Sequence, residues 1–311
     1  MRPAILRIIQ NADYWFPPSP EYFFAERGRN YGSLSDTQFT TAFTGSSNAF
    51  YGGVLLPDGR VFCIPFNAAN GIIYNPANNT QFTTAFTGGS GAFHGGVLLP
   101  DGRVFCVPYN AANGKIYDPA NNTQFTTAFT GGSGAFYGGV LLPNGRVFCV
   151  PYNAANGKIY DPANNTQFTT ALTGGTDAFI GGVLLPDGRV FCIPLNAVNG
   201  RIYNPVGDTQ FTTVVTGGGS AFYGGVLLPD GRVFCTPLNA ANAIIYNPVG
   251  NTQFATAFTG GSGAFVGGVL LPDGRVFCIP FNAANGKIYG GTPTGIQLPN
   301  ARTLNPYDNK F

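Results

Sequence analysis

Charge is scarce in this chain of 311 residues: Asp, Glu, Lys and Arg make up 10% of it, with 16 basic against 14 acidic side chains. So weak a field gathers neither phosphate backbones nor acidic headgroups, which excludes nucleic acid as the expected partner. No apolar run reaches membrane-spanning length, and no membrane insertion is expected. The N-terminal "MRPAILRIIQNADYWFPPSPEYFF" is broken by Arg7, Gln10 and Asn11, so it lacks a secretory core, and the chain is expected to fold where it is made. Helix is excluded by periodic Gly and Pro, which interrupt every candidate within two turns. Chemistry-bearing residues are equally sparse. There is one histidine, His94, and the only glutamates, Glu21 and Glu26, lie in the first 36 residues. No CxxC pair occurs, so no metal site, cofactor or catalytic residue is expected.

What the chain does have is aromatic and apolar residues, 14% and 44%, in an exterior of Asn, Thr, Ser and Gly. It also has a repeat. Cys63, Cys106, Cys149, Cys192, Cys235 and Cys278 recur every 43 residues without insertion or deletion. Each unit reads as four strands: A "GGVLLP", B "RVFCVPY", C "KIYDP" and D "TQFTTAF". Turn chemistry stands between them in "PDG", "NAANG" and "PANN". Strand B is apolar on both faces, as small sheets packed between similar neighbours require. Equivalent cysteines on successive blades stand about 10 Å apart, too far to bridge, so they are expected to be free thiols made in a reducing compartment.

A copy of "TQFTTAF" at 37–43 precedes the first A strand, and none follows the last C strand near Tyr289. That phase suits a ring, in which residues 37–43 complete the last blade and leave no free edge. The sequence therefore predicts an all-β, six-bladed β-propeller of four-stranded blades, closed by an N-terminal strand. Its expected limits are 37–289, with an arm or strap at 1–36 and a tail at 290–311.

At "IYDPANNTQFTT" and "GGVLLPDGRVFC" the unit resembles kelch-type repeats of the galactose-oxidase-like propellers. It departs from them in its glycine pair, which stands ahead of strand A, and in Phe82, Phe125 or Phe168 near the usual tryptophan position. The resemblance implies a binding module, with a minority of enzymes on the same fold. In texture the near-identical, charge-poor copies are similar to phage tail and virion-decoration proteins.

The candidate binding face combines loop amides with aromatic rings. Asn67 and Asn70, Asn110 and Asn113, and Asn153 and Asn156 supply hydrogen-bonding groups, and Tyr51, His94, Tyr137 and Tyr223 supply stacking surfaces, a pairing suited to neutral saccharide. Asn is equally a turn former. Asp177 is the one acid that departs from the repeat in its D–A loop. The Phe39, Phe82, Phe125, Phe168, Phe211 and Phe254 series is expected in the core, and the turn aspartates are expected to pair with Arg60 and its equivalents on one solvated rim. Tyr14, Trp15, Phe16, Tyr22 and Phe23 form a candidate assembly arm. These features together predict a non-catalytic structural or binding propeller, in a virion or extracellular assembly where it contacts other subunits and host glycans. The alternatives are a polysaccharide-acting propeller enzyme or a cytoplasmic scaffold for another protein.

Overall fold

The structure, a computed structural model, describes residues 41–290. Blade one runs β1 (Phe50–Leu55), β2 (Val61–Pro65), β3 (Asn70–Asn75) and β4 (Thr80–Thr87), hydrogen-bonded in that order, and the pattern repeats through β23 (Lys287–Tyr289). Five blades have four strands and the last has three, giving the expected six-bladed β-propeller. Of the closing segment 37–43, only residues 41–43 are described. The arm 1–36, with Tyr14, Trp15, Phe16, Tyr22 and Phe23, and the tail beyond Gly290 lie outside the described residues.

The turns follow from their residues. In "LPDGR", Gly59 adopts φ +85°, which a side chain would resist. Its amide bonds Leu56 O at 3.0 Å, while Asp58 Oδ1 accepts the Arg60 amide at 3.0 Å. In five blades strand C begins earlier than the sequence suggests, at the last Asn of the "NAAN" loop, and in the sixth it begins at Lys287.

The hydrophobic core lies between blades. Val54, Leu56, Phe62 and Ile64 of blade one meet Phe93, Val104, Cys106 and Tyr117 of blade two in one buried cluster, and four further clusters repeat this arrangement at the next seams. Phe62 stacks on Tyr117 at 4.5 Å, and the space for its ring exists because position 71 is glycine: a Cβ there would stand 2.5 Å from Phe62 Cε2. Cysteine serves here as a small buried hydrophobe, and burial alone pushes the Cys63 thiol up to about 11. None of the six cysteines, all of which lie among the described residues, is in a disulfide.

The repeated "NTQ" is an interblade clasp. Asn122 Oδ1 accepts from Tyr117 Oη and from Ala85 N of the preceding blade, each at 2.9 Å. Gln124 exchanges two hydrogen bonds with Thr87. Residues 42–44 make the same contacts with blade one: Ala42 N to Asn79 Oδ1, Thr44 N to Gln81 Oε1, and Phe43 against Phe50 and Tyr74. The described part of the early "TQFTTAF" therefore occupies the seat that strand D of each blade takes on its successor. That geometry answers why one copy comes first.

One expectation is corrected. Phe82, Phe125, Phe168, Phe211 and Phe254 are not core residues, since Phe82 is 40% exposed and its companions are similar, while Phe39 lies outside the described residues. Strand D is the outermost strand, and alternation turns these rings outward, where the guanidinium of Arg60 or its equivalent covers each one.

Candidate functional site

Antiparallel order puts the D–A and B–C loops on one face and the A–B and C–D turns on the other. The arginines of the "PDGR" turns therefore gather on one rim, and the opposite face holds the mouth of the central channel. Two residues per blade line that mouth: the second residue of strand A and the residue after strand B.

On the inner ring, Tyr51, Tyr137 and Tyr223 come from blades one, three and five and converge on the axis. The Tyr137 and Tyr223 phenols hydrogen-bond each other, and Tyr51 interacts with both. Between them stand His94, Ile180 and Val266, which are smaller. Six phenols would overfill a six-fold channel, and three alternating with smaller groups fit. Burial, and then the neighbouring phenols, drive Tyr137 far upward, so that phenol stays protonated and neutral.

His94 is 8% exposed and packs against Tyr51 at 4.2 Å and Tyr137 at 3.5 Å between ring centres. Its Nε2 is buried without a hydrogen-bond partner. Burial lowers its pKa to about 3, so the imidazole is neutral at physiological pH.

The outer ring of the mouth is formed by Phe66, Tyr109 and Tyr152 on blades one to three. Their centres are 5.9 Å and 6.1 Å apart, and each also touches the inner ring. Blades four and five have Leu195 and Leu238 at this position. The result is a shelf of half-buried aromatic rings over three blades, beside an aliphatic arc over the next two.

The D–A loops edge this shelf. Gly91 and Gly134 have φ of +59° and +61°, and a Cβ on either would lie 3.6 Å from Phe66 or Tyr109. At the equivalent place beside Tyr152 the chain puts Asp177, which keeps a left-handed φ of +49°. An acidic side chain thus occupies a backbone position where Gly recurs, and it is the only carboxylate on this face among the described residues. Burial, followed by the Asp177 carboxylate, drives the Tyr152 phenol upward; Tyr109 shifts the same way for the same two reasons.

The candidate amides carry internal bonds. Asn67, Asn110 and Asn153 accept through Oδ1 from the amides of Gly91, Gly134 and Asp177 at 2.8–2.9 Å, which holds each D–A loop against the preceding blade. Asn70, Asn113 and Asn156 donate to strand D carbonyls. The structure thus brings Tyr51, His94, Tyr137 and Tyr223 together at the mouth and assigns these asparagines to loop architecture there. Sequence reasoning missed Phe66, Tyr109 and Tyr152. Their signal was present: between a fixed Pro and a fixed Asn, this position reads Phe, Tyr, Tyr, Leu, Leu and Phe.

No family model and no curated protein matches the chain. Among solved structures it is similar to virginiamycin B lyase from Staphylococcus aureus (TM-score 0.65, 12% identity, 78% of this chain and 85% of that one). The catalytically inactive histidine-to-alanine variant of that lyase, with Quinupristin, is equally similar (TM-score 0.66, 11% identity, 79% and 86%). The extracellular domain of a putative one-component system from B. thetaiotaomicron gives a TM-score of 0.62 at 11% identity, over 78% of this chain and 33% of that one. At such identity the likeness shows the fold, a β-propeller. It corrects the expectation that this chain is no enzyme, because a lyase is built on the same architecture. Neither the kelch assignment nor a place in a virion finds support in these comparisons.

Proposed function

We propose that this propeller is a carbohydrate-handling protein whose ligand, a neutral saccharide, lies on the aromatic mouth face, where polysaccharide is bound and processed. The observation that carries this reading is the aromatic shelf of Phe66, Tyr109 and Tyr152 with Asp177, the single acid of that face among the described residues, at its end. Open aromatic faces stack on the C–H faces of sugar rings, and phenols and a carboxylate beside them exchange hydrogen bonds with hydroxyls. The imidazole and the Tyr109, Tyr137 and Tyr152 phenols are neutral, and the turn arginines lie on the opposite rim, which favours an uncharged ligand. Asp177 beside Tyr152 supplies the proton acceptor and donor that an enzymatic step on such a ligand requires. Similarity to extracellular domains accords with a place outside the cell, where polysaccharide is met.

Binding and turnover on neutral polysaccharides, measured on one preparation, test this reading. Asp177→Asn is expected to abolish product formation, and Tyr152→Ala to weaken binding about tenfold. Absence of binding across the panel would overturn it.

A further inference from the structure

The aromatic shelf is a graded series of positions with two different ends. Phe66, Tyr109 and Tyr152 follow one another at nearly constant spacing, 5.9 Å and then 6.1 Å between ring centres, and they occupy the same repeat position on successive blades. The step is comparable to the advance per residue of an extended pyranoside chain. At the blade-one end the platform is a phenyl ring without a polar handle. At the blade-three end it is a phenol beside Asp177, and past Tyr152 the same position turns aliphatic at Leu195, which is buried.

We propose that the shelf is a row of three consecutive sugar subsites, one per blade, which takes a linear neutral oligosaccharide with its hydroxyl-reading end at Asp177. This deepens the functional reading above and rests on it. The repeat supplies the register. Because the blades share one 43-residue unit, the three rings inherit both their spacing and their tilt from the fold, so a polymer with its own regular repeat meets them in phase. Past blade three Leu195 and Leu238 replace the rings; at the other end Phe281 of blade six is 62% exposed and, among the described residues, makes no ring contact with Phe66, so the run of touching rings is three long.

Asp177 fixes direction. A carboxylate accepts from two neighbouring hydroxyls at once, which Gly91 beside Phe66 on blade one and Gly134 beside Tyr109 on blade two cannot do. Asp177 is thus a specificity-determining residue for the subsite on Tyr152, and its left-handed backbone is retained although Gly would relieve it.

The experiment is a chain-length ladder, with calorimetric affinities for neutral gluco-, galacto- and manno-oligosaccharides, α- and β-linked, from one to five units. In the series that binds, affinity is expected to rise roughly threefold to tenfold with each unit up to three and then level off. Tyr152→Ala should reduce the trimer to the affinity of the dimer, and Leu238→Ala, on the aliphatic arc, should leave the ladder unchanged. Asp177→Asn should lower trimer affinity while Tyr109→Ala removes only one step. A protein that binds monomer as tightly as trimer retains its saccharide site but has no subsite row, and the inference falls. No binding in any series removes the functional reading as well.

Discussion

The seams between blades are nearly invariant, whereas the mouth is not. Five seams repeat the same Phe of strand B on the Tyr of the following strand C, with glycine beneath the Phe except at Ala243 and an Asn clasp except at Asp208. At the mouth the inner position reads Tyr, His, Tyr, Ile, Tyr and Val, and the outer reads Phe, Tyr, Tyr, Leu, Leu and Phe. Five like packing problems have been solved in nearly the same way, so divergence at the mouth marks residues that the fold does not dictate. A further difference lies within the seams themselves. Blade six and blade one share no buried cluster like the other five among the described residues, and Leu55 and Phe281 there are 59% and 62% exposed.

The most forceful way to break this comparison is to cut into a seam. Phe148 is fully buried, stacks on Tyr203 at 4.6 Å, and fills space that Gly157 leaves open. Phe148→Ala should cost about 3–5 kcal/mol in urea or guanidinium unfolding, and Phe105→Ala and Phe191→Ala should match it within about 1 kcal/mol. Costs that differ widely from blade to blade would mean that the seams are alike in sequence but not in energetics.

The seams were also what the sequence made most legible. Turn residues, strand lengths and the 43-residue period each point to the same blade, because local geometry and packing act together in every copy. The mouth was harder to read. Tyr51, His94, Tyr137 and Tyr223 are visible as one variable position, but their meeting on the axis depends on how six blades curve, which no single unit encodes. Phe66, Tyr109 and Tyr152 sit beside the conspicuous "NAAN" loops, and the amides drew attention that belonged to the rings. The outward turn of Phe82 was missed for a related reason: burial on both faces holds for the inner strands and fails at the outermost one.

A smaller effect isolates the mouth from the seams. His94 remains neutral in the folded protein down to about pH 3, because burial disfavours the imidazolium. The unfolded chain takes up that proton near pH 6.5, so between these limits the unfolded state binds more protons and stability falls as pH drops. The loss relative to neutral pH should reach about 2 kcal/mol near pH 5. His94→Ile, which installs the residue of blade four, should flatten this part of the profile in pH-dependent denaturation. An unchanged slope would show that the imidazole is solvated and that the channel plug is open.

The smallest effect concerns the rim, which also varies between blades and so challenges the idea that divergence signals function. Five blades hold an Asp–Arg pair across the A–B turn at 2.6–2.7 Å, Asp58 with Arg60 being the first. Blade three has Asn144 instead, and Arg146 reaches Asp161 on the next turn at 3.2 Å. The cleft of about 440 Å³ at this seam is lined by Arg103, Arg146, Asp161 and Pro162. Asn144→Asp should restore the turn pair yet change stability by no more than about 0.5 kcal/mol, because the equivalent carboxylates and guanidiniums are solvated. Arg60 and its partners hold Asp58, Asp187 and Asp230 below the usual carboxylate range, so any gain is present above the unfolded pKa and is lost as pH falls through the folded one. Unfolding of the variant at low and high salt measures it, since a rim pair fades with ionic strength. A gain well above 1 kcal/mol that survives salt would put Asn144 in the same class as the mouth residues, as a departure that costs stability and therefore requires a reason.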